Sequence, residues 1–117
     1  MKREKFEELA SEALDELPEV FRGRLENVDI IVESRPSGDI LKERGVSRND
    51  TLLGLYHGIP LKHRGTGYSS VLPDVITIYQ EPIESICTNE SDIKQKITDV
   101  LMHEIGHHFG MSEEELP

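Results

Sequence analysis

The chain has 117 residues, and its 13 basic and 23 acidic side chains give a formal charge of −10 at pH 7. Phosphate backbones and anionic lipid surfaces attract Lys and Arg, so we expect neither nucleic acid nor a membrane surface as a partner. The length fits a single domain over residues 1–117, and the one cysteine, Cys87, excludes an internal disulfide, which favours a reducing, cytoplasmic location.

The first predicted element is an amphipathic helix from about residue 3 to residue 17. Its apolar side chains recur at steps of three and four, which lays one stripe along the helix for packing against a core. Pro18 ends the helix. The charged residues between the apolar positions leave no apolar run long enough for a signal peptide. The stripe consists of Phe6, Leu9, Ala10, Ala13, Leu14 and Leu17.

Three short strands are predicted in the middle of the chain. The alternation in VDIIVE predicts a strand over residues 28–33, and a turn follows at 35–39. A second strand at 51–56 is followed by a loop with several glycines and a proline at 58–67. The segment VITIY at 75–79 has the strongest strand signal, because it consists of β-branched and aromatic residues.

The last predicted element is a helix that begins at Asn89 or Ser91 and ends at Gly110. Either polar residue can accept a backbone N–H at the helix start, and a glycine adopts the left-handed conformation that ends many helices. On a helical wheel the apolar residues form one buried stripe, and His103 and His107 share one edge of it. We therefore expect the two histidines to lie on the rim of the buried stripe, partly covered by the core and able to face a cleft.

The run His103-Glu104-Ile105-Gly106-His107 is an H-E-x-x-H motif on this helix. Two imidazoles one turn apart can bind one zinc ion, and Glu104 is offset so that its carboxylate reaches a zinc-bound water. Glu104 then takes a proton from this water, and the hydroxide attacks a carbonyl group polarised by the same ion. We therefore predict hydrolysis of peptide bonds, with His103 and His107 as zinc ligands and Glu104 as the general base. The alternative is a pair of exposed histidines without a metal.

A catalytic zinc site normally has three protein ligands, so a third ligand is needed. In the pattern H-E-x-x-H-x-x-G-x-x-H, the chain turns at a glycine and supplies the third ligand three residues later. Gly110 occupies this glycine position, and Glu113 occupies the ligand position with a carboxylate, which zinc accepts. We predict Glu113 as the third ligand. Glu114, Ser112, a group from another chain, and a solvated acidic tail at 113–115 remain open as alternatives.

The other histidines and the cysteine receive no catalytic role. His108 points into the apolar stripe on the wheel, so we expect a histidine that is either buried or next to the zinc ligands, without binding zinc itself. A hydrogen bond from His108 to a nearby carboxylate would orient the helix. His57 and His63 lie in a basic segment and are predicted to be surface or structural groups. Cys87 has no identifiable histidine partner, which argues against nucleophilic catalysis.

The segment HEIGHHFG at 103–110, followed by MSEEEL, resembles a family of small bacterial zincin-like proteins. The resemblance continues upstream in LDELP at 14–18, VDIIVE at 28–33, LLGLYHGIPL at 52–61 and VLPDVITIYQEP at 71–82. It implies a minimal zincin-like α+β fold with an N-terminal helix, a small mixed sheet and a C-terminal helix that carries the motif. It also implies zinc bound by His103 and His107, with Glu104 as the base. The family often has an aspartate at the position of Glu113.

The substrate is predicted to be a peptide or a protein segment beside the zinc ion. We expect VITIY to be the edge strand just before the metal helix, where an extended peptide can pair with it by β-augmentation. Thr77 and Tyr79 would then face outward and bind the substrate, while Ile76 and Ile78 pack inward. An ordinary core strand is equally compatible with the sequence.

Two functions follow from these features. The first is a zinc-dependent metallopeptidase, and the second is a catalytically silent zincin-like module for binding or regulation, with or without a structural metal. We take the metallopeptidase as the main prediction. Two features support the alternative: the third ligand is weakly defined, and we find no counterpart of the subdomain from which larger metzincin proteases build part of the cleft. Residues 71–117 carry 2 basic and 10 acidic groups, a net −8, so we expect this segment to attract divalent metals and basic peptides.

Overall fold

The computed structural model describes residues 1–23, 25, 28–45, 52–57 and 74–108. This part of the chain forms five helices and three strands, which confirms the predicted α+β class. In chain order they are α1 (Arg3–Asp15), α2 (Glu19–Arg22), β1 (Val28–Glu33), α3 (Gly38–Glu43), β2 (Gly54–His57), β3 (Asp74–Tyr79), α4 (Gln80–Ser85) and α5 (Glu90–His108).

The two long helices, α1 and α5, pack against each other through their apolar stripes. In α1 the stripe residues Phe6 and Ala13 are fully buried, as the periodicity predicted. At the margin of this interface, Nζ of Lys94 lies 3.4 Å from a carboxylate oxygen of Glu12 and 2.6 Å from one of Glu16. Ion pairs between side chains that are 28–59% exposed contribute little to the free energy of folding. The stability of the α1–α5 interface therefore depends mainly on the burial of apolar side chains.

The strand order in the sheet is β1-β3-β2, so β3 is the central strand. It pairs in parallel with β1 and antiparallel with β2. The expectation that VITIY forms an edge strand is therefore wrong. The hydrogen-bonding groups of its backbone are directed to strands on both sides, which leaves no edge for an incoming peptide. Within the described residues, the two edge strands are β1 and β2.

Both faces of β3 are also covered. Ile76 and Ile78 are fully buried, as expected, but Thr77 is only 9% exposed and Tyr79 only 1%. Burial raises the pKa of the Tyr79 hydroxyl. The expectation that Thr77 and Tyr79 face outward is thus wrong, because both side chains are almost completely shielded from solvent. This correction removes the geometric reason for placing these two residues at the substrate.

Two short helices lie where the sequence indicated a turn or a strand end. The predicted turn at 35–39 leads directly into α3, because Oγ of Ser37 accepts the N–H of Ile40 at 3.1 Å and caps the helix. α4 follows β3 without a loop, and Pro82 lies in its first turn, where the missing N–H is not needed. The predicted loop at 58–67 lies outside the described residues.

The hydrophobic core lies between the sheet and the pair formed by α1 and α5. Its largest fully buried side chains are Phe6, Phe21, Ile76, Ile78, Ile83, Ile97, Leu101 and Ile105. In the described part of the chain, no helix combines the length and the apolar character that crossing a membrane requires.

Candidate metal centre

The helix that carries the motif, α5, begins at one of the two predicted cap residues. Oδ1 of Asn89 accepts the N–H of Asp92 at 2.9 Å, which is the N-cap hydrogen bond. Asp92 also accepts hydrogen bonds from the hydroxyl and the backbone N–H of Thr88, and these bonds lower the pKa of its carboxyl group. The start of α5 is therefore fixed, whereas the predicted end at Gly110 lies outside the described residues.

The two motif histidines lie next to each other on the exposed rim of α5. The apolar stripe is buried as predicted, with Ile97, Leu101 and Ile105 fully inaccessible to solvent. His103 and His107 are exposed, and their ring centroids are 4.3 Å apart with an angle of 44° between the ring planes. One turn of helix thus presents two imidazoles side by side to solvent, as the H-E-x-x-H spacing predicts.

Glu104 projects from α5 toward the sheet. Its Oε1 accepts a hydrogen bond of 3.0 Å from the backbone N–H of Tyr56, in the edge strand β2. Glu104 is half-buried, in contrast to its histidine neighbours in the motif. A carboxylate that accepts a backbone N–H is held in one orientation, so the sheet determines where this side chain lies.

A cleft of about 360 Å³ lies between β2 and α5 and reaches the motif. Apolar and charged groups both contribute to its walls. It is lined by Leu52, Leu53, Gly54, Lys96, Asp99, Val100, His103 and Glu104. The cleft therefore brings together a motif histidine, the motif glutamate and a partly apolar wall, which is the usual composition of a small-ligand or peptide side-chain site.

Tyr56, whose N–H is bonded to Glu104, links β2 to β3 and to the last turn of α5. Its hydroxyl donates a hydrogen bond of 2.9 Å to Oδ2 of Asp74, the first residue of β3. The ring of His108 stacks on the Tyr56 ring, with centroids 3.8 Å apart and an angle of 13° between the planes. Nε2 of His108 lies 3.9 Å from Oδ2 of Asp74, which is longer than a hydrogen bond.

The expected burial of His108 is wrong, because its side chain is 35% exposed. A helical wheel gives the angle of a residue around the helix axis but not its position along the axis. His108 has the angle of the apolar stripe, but at the last turn of α5 it faces Tyr56 and Asp74 instead of the apolar core. A carboxylate does lie near His108, since Oδ2 of Asp74 is 3.9 Å from its Nε2. Tyr56 and Asp74 were not predicted as site residues, and nothing in their local sequence indicates that they meet.

The described residues supply two nitrogen ligands suited to zinc. Imidazole nitrogen is a preferred zinc donor, and His103 and His107 are exposed and adjacent, so the donor chemistry fits a zinc ion. Among the residues that the structure describes, no three His, Cys, Asp or Glu side chains are grouped so as to hold a metal. Glu113, the predicted third ligand, lies outside those residues, as do its alternatives Ser112 and Glu114.

The other residues considered from sequence lie away from the motif or outside the described part. His57 is exposed at the end of β2, which agrees with a surface role, and His63 is outside the described residues. Cys87 is partly buried against the core, and burial raises the pKa of its thiol, with a further contribution from Asp92. A raised pKa lowers the thiolate fraction at neutral pH, so this thiol is a poor nucleophile.

Comparison with known proteins identifies the fold and the family. A family model described as Zincin-like metallopeptidase matches residues 25–117. None of the curated proteins matches the chain. Among solved structures, a conserved hypothetical protein from T. thermophilus is 20% identical, with a TM-score of 0.58 over 93% of this chain and 94% of that chain. A likeness at this identity concerns the fold alone.

Proposed function

This chain belongs to the zincin-like metallopeptidase family, and we propose that it is a zinc-dependent peptidase whose general base is Glu104. The observation that carries the proposal is the arrangement of the motif on α5. Two exposed imidazoles lie side by side, and the glutamate between them is held at the edge of a cleft. This arrangement suits a metal at the rim and a substrate in the cleft.

His103 and His107 would hold the zinc ion, and Glu113 is the residue we propose as the third ligand. A bound zinc ion supplies Lewis-acid chemistry, which makes water acidic enough to lose a proton near neutral pH and polarises a carbonyl group. His108 is not assigned to the metal, because its ring stacks on Tyr56 and faces Asp74. The doubled histidine thus provides one ligand and one structural group.

The position of Glu104 in the cleft wall supports a role as proton acceptor. Its Oε1 is bonded to the N–H of Tyr56, and we assign Oε2 to take a proton from the attacking water. The water oxygen bonds to the carbonyl carbon of the peptide, and Glu104 then passes the proton to the amide nitrogen as the C–N bond breaks. The carboxylate is regenerated at the end of the cycle.

The substrate that we propose is a peptide segment with a basic character. The last third of the chain carries most of the negative charge, and negative charge near a site attracts cationic segments. The apolar part of the cleft wall, from Leu52 and Leu53, would contact an uncharged side chain of the same peptide. The single cysteine in the sequence favours a cytoplasmic setting for this reaction.

The test compares wild type with Glu104→Gln after purification in the presence of zinc. Zinc content is measured by metal analysis, and cleavage is measured on a peptide library. We expect equal zinc content in both proteins and a loss of turnover of about 10²- to 10⁴-fold in Glu104→Gln. The matched control is Glu8→Gln, which makes the same change at an exposed glutamate of α1 and leaves turnover unchanged.

Three results would overturn the proposal. Equal turnover in wild type and Glu104→Gln would exclude Glu104 as the base. A wild-type protein that binds no zinc at micromolar concentrations would exclude the metal-dependent reaction altogether. Tight zinc binding without any cleavage would instead favour the second function, a catalytically silent module with a structural metal.

A further inference from the structure

We propose that Tyr56 is the positioning residue for Glu104, and that His108 and Asp74 keep Tyr56 in place. The inference rests on the proposed function, because it assigns the support of the same general base. Tyr56 is only 7% exposed, and contacts with α5 or β3 hold it at its backbone N–H, its ring and its hydroxyl. These contacts link β2, the start of β3 and the last turns of α5.

The backbone contact follows from the strand register. The carbonyl of Leu53 accepts the N–H of Tyr79 at 3.0 Å, so Leu53 directs its hydrogen-bonding groups toward β3. These groups alternate in direction along an antiparallel strand, which directs the N–H of Tyr56 away from β3, to the outer edge of β2. Glu104 accepts the N–H there at 3.0 Å. The carboxylate therefore depends on the exact position of one residue in a short edge strand.

The ring contact comes from the same helix as the carboxylate. His108 lies four residues after Glu104, so the two side chains project from adjacent turns on one side of α5. Glu104 bonds to the backbone of Tyr56, and His108 stacks on its ring at 3.8 Å. Two contacts from one helix to one residue fix the distance between α5 and β2 more firmly than one contact does.

The hydroxyl contact ties Tyr56 to the central strand. Asp74 is 14% exposed and accepts the Tyr56 hydroxyl at 2.9 Å. Its own backbone is paired with Val28 of β1. A central strand is the least mobile part of a sheet, so the hydroxyl is anchored on the rigid side of the site. Tyr56 is thereby bonded both to β3, through its hydroxyl, and to Glu104, through its N–H, so it holds the proposed base at a fixed distance from the central strand.

Amide hydrogen exchange at Tyr56 tests this assignment without any need for cleavage. Within the described residues, the N–H of Tyr56 is bonded to Glu104, so its protection reports that hydrogen bond. We compare His108→Ala, which removes the stacked ring, with His108→Phe, which keeps an aromatic ring. Gln95→Ala is the control, because it truncates an exposed side chain elsewhere on α5.

We expect the Tyr56 amide to exchange about tenfold faster in His108→Ala, while His108→Phe and Gln95→Ala stay close to wild type. Exchange at Ile78 in β3 is recorded in the same samples. Equal acceleration at Ile78 would mean general destabilisation and would overturn the positioning role. Unchanged protection of Tyr56 in His108→Ala, or equal acceleration in His108→Phe, would overturn it as well.

Steady-state kinetics provide the second readout. In a protein that cleaves peptides, we expect Tyr56→Phe and His108→Ala to lower kcat about tenfold, with KM and zinc content unchanged. An unchanged kcat in both variants would refute the assignment. If the wild-type protein cleaves no peptide, the proposed peptidase function is refuted. The hydrogen-exchange experiment still tests whether Tyr56 positions Glu104, because it does not require cleavage.

Discussion

Gly54 and Val100 approach each other so closely that a Cβ atom on Gly54 would lie 2.5 Å from Cγ1 of Val100. The same Cβ would lie 3.2 Å from the backbone oxygen of Thr77 and 3.9 Å from Cγ of Glu104. The absence of a side chain at residue 54 thus permits the short distance between β2 and α5. This short distance lets the N–H of Tyr56 reach Glu104, so the position of Glu104 depends on a glycine in the neighbouring strand.

A methyl group at this glycine should therefore destabilise the protein. We expect Gly54→Ala to lower the free energy of unfolding by about 1–3 kcal/mol, because well-packed neighbours have to move. The measurement is urea unfolding followed by circular dichroism. The matched control is Gly38→Ala in α3, where a Cβ meets nothing within 4 Å. Gly54→Ala should lower the free energy of unfolding by less when Val100→Ala is also present, because the clashing side chain is then shorter. Equal stability of Gly54→Ala and Gly38→Ala would contradict the close approach of β2 to α5.

Removal of either motif histidine should abolish tight zinc binding. In His103→Ala and His107→Ala we expect zinc affinity to fall by more than the roughly 10- to 100-fold that outer-shell substitutions cost. The measurement is competitive titration with a chelating dye. His57→Ala removes an exposed histidine at the end of β2, and His108→Ala removes the stacked one. Both variants should bind zinc as wild type does. Loss of zinc binding in His108→Ala would show that His108 is a zinc ligand, contrary to the proposal.

The third ligand is tested by substitutions in the acidic segment at 112–114. Glu113→Gln keeps the size of the side chain but removes its charge, and we expect zinc affinity to fall by at least about tenfold. Glu114→Gln and Ser112→Ala are the controls and should bind zinc as wild type does. If Glu114→Gln weakens binding and Glu113→Gln does not, the ligand lies one residue further along the chain.

The stability of the α5 cap should depend on pH through Asp92. Hydrogen bonds from Thr88 lower the pKa of this carboxyl group in the folded protein. A lowered pKa contributes stability above the unfolded value of about 4, and that contribution is lost as the pH falls through the folded value. We therefore expect Asp92→Asn to be less stable than wild type at pH 7 and the difference to shrink toward pH 2. If the stability difference between wild type and Asp92→Asn instead grows toward low pH, folding raises the pKa of Asp92 and the prediction is wrong.

Local periodicity predicted the elements that position the candidate site. The three- and four-residue repeat in α1, the alternation in β1 and the polar cap at Asn89 all depend on neighbours in sequence, and each is present in the structure. The rim position of His103 and His107 also follows from the helical repeat alone. The choice of zinc and of Glu104 as base stays a prediction from the motif and from the family.

Tertiary structure decided which strand is central and which groups support Glu104. The pattern of VITIY is the same in an edge strand and in a central strand, and only the pairing with both β1 and β2 distinguishes the two. His108 illustrates the same limit, since the wheel gives its angle around the helix axis but not what faces it at the last turn. Tyr56 lies 48 residues from Glu104 along the chain. Their hydrogen bond exists because Gly54 allows β2 to approach α5, a contact that no local pattern in the sequence encodes.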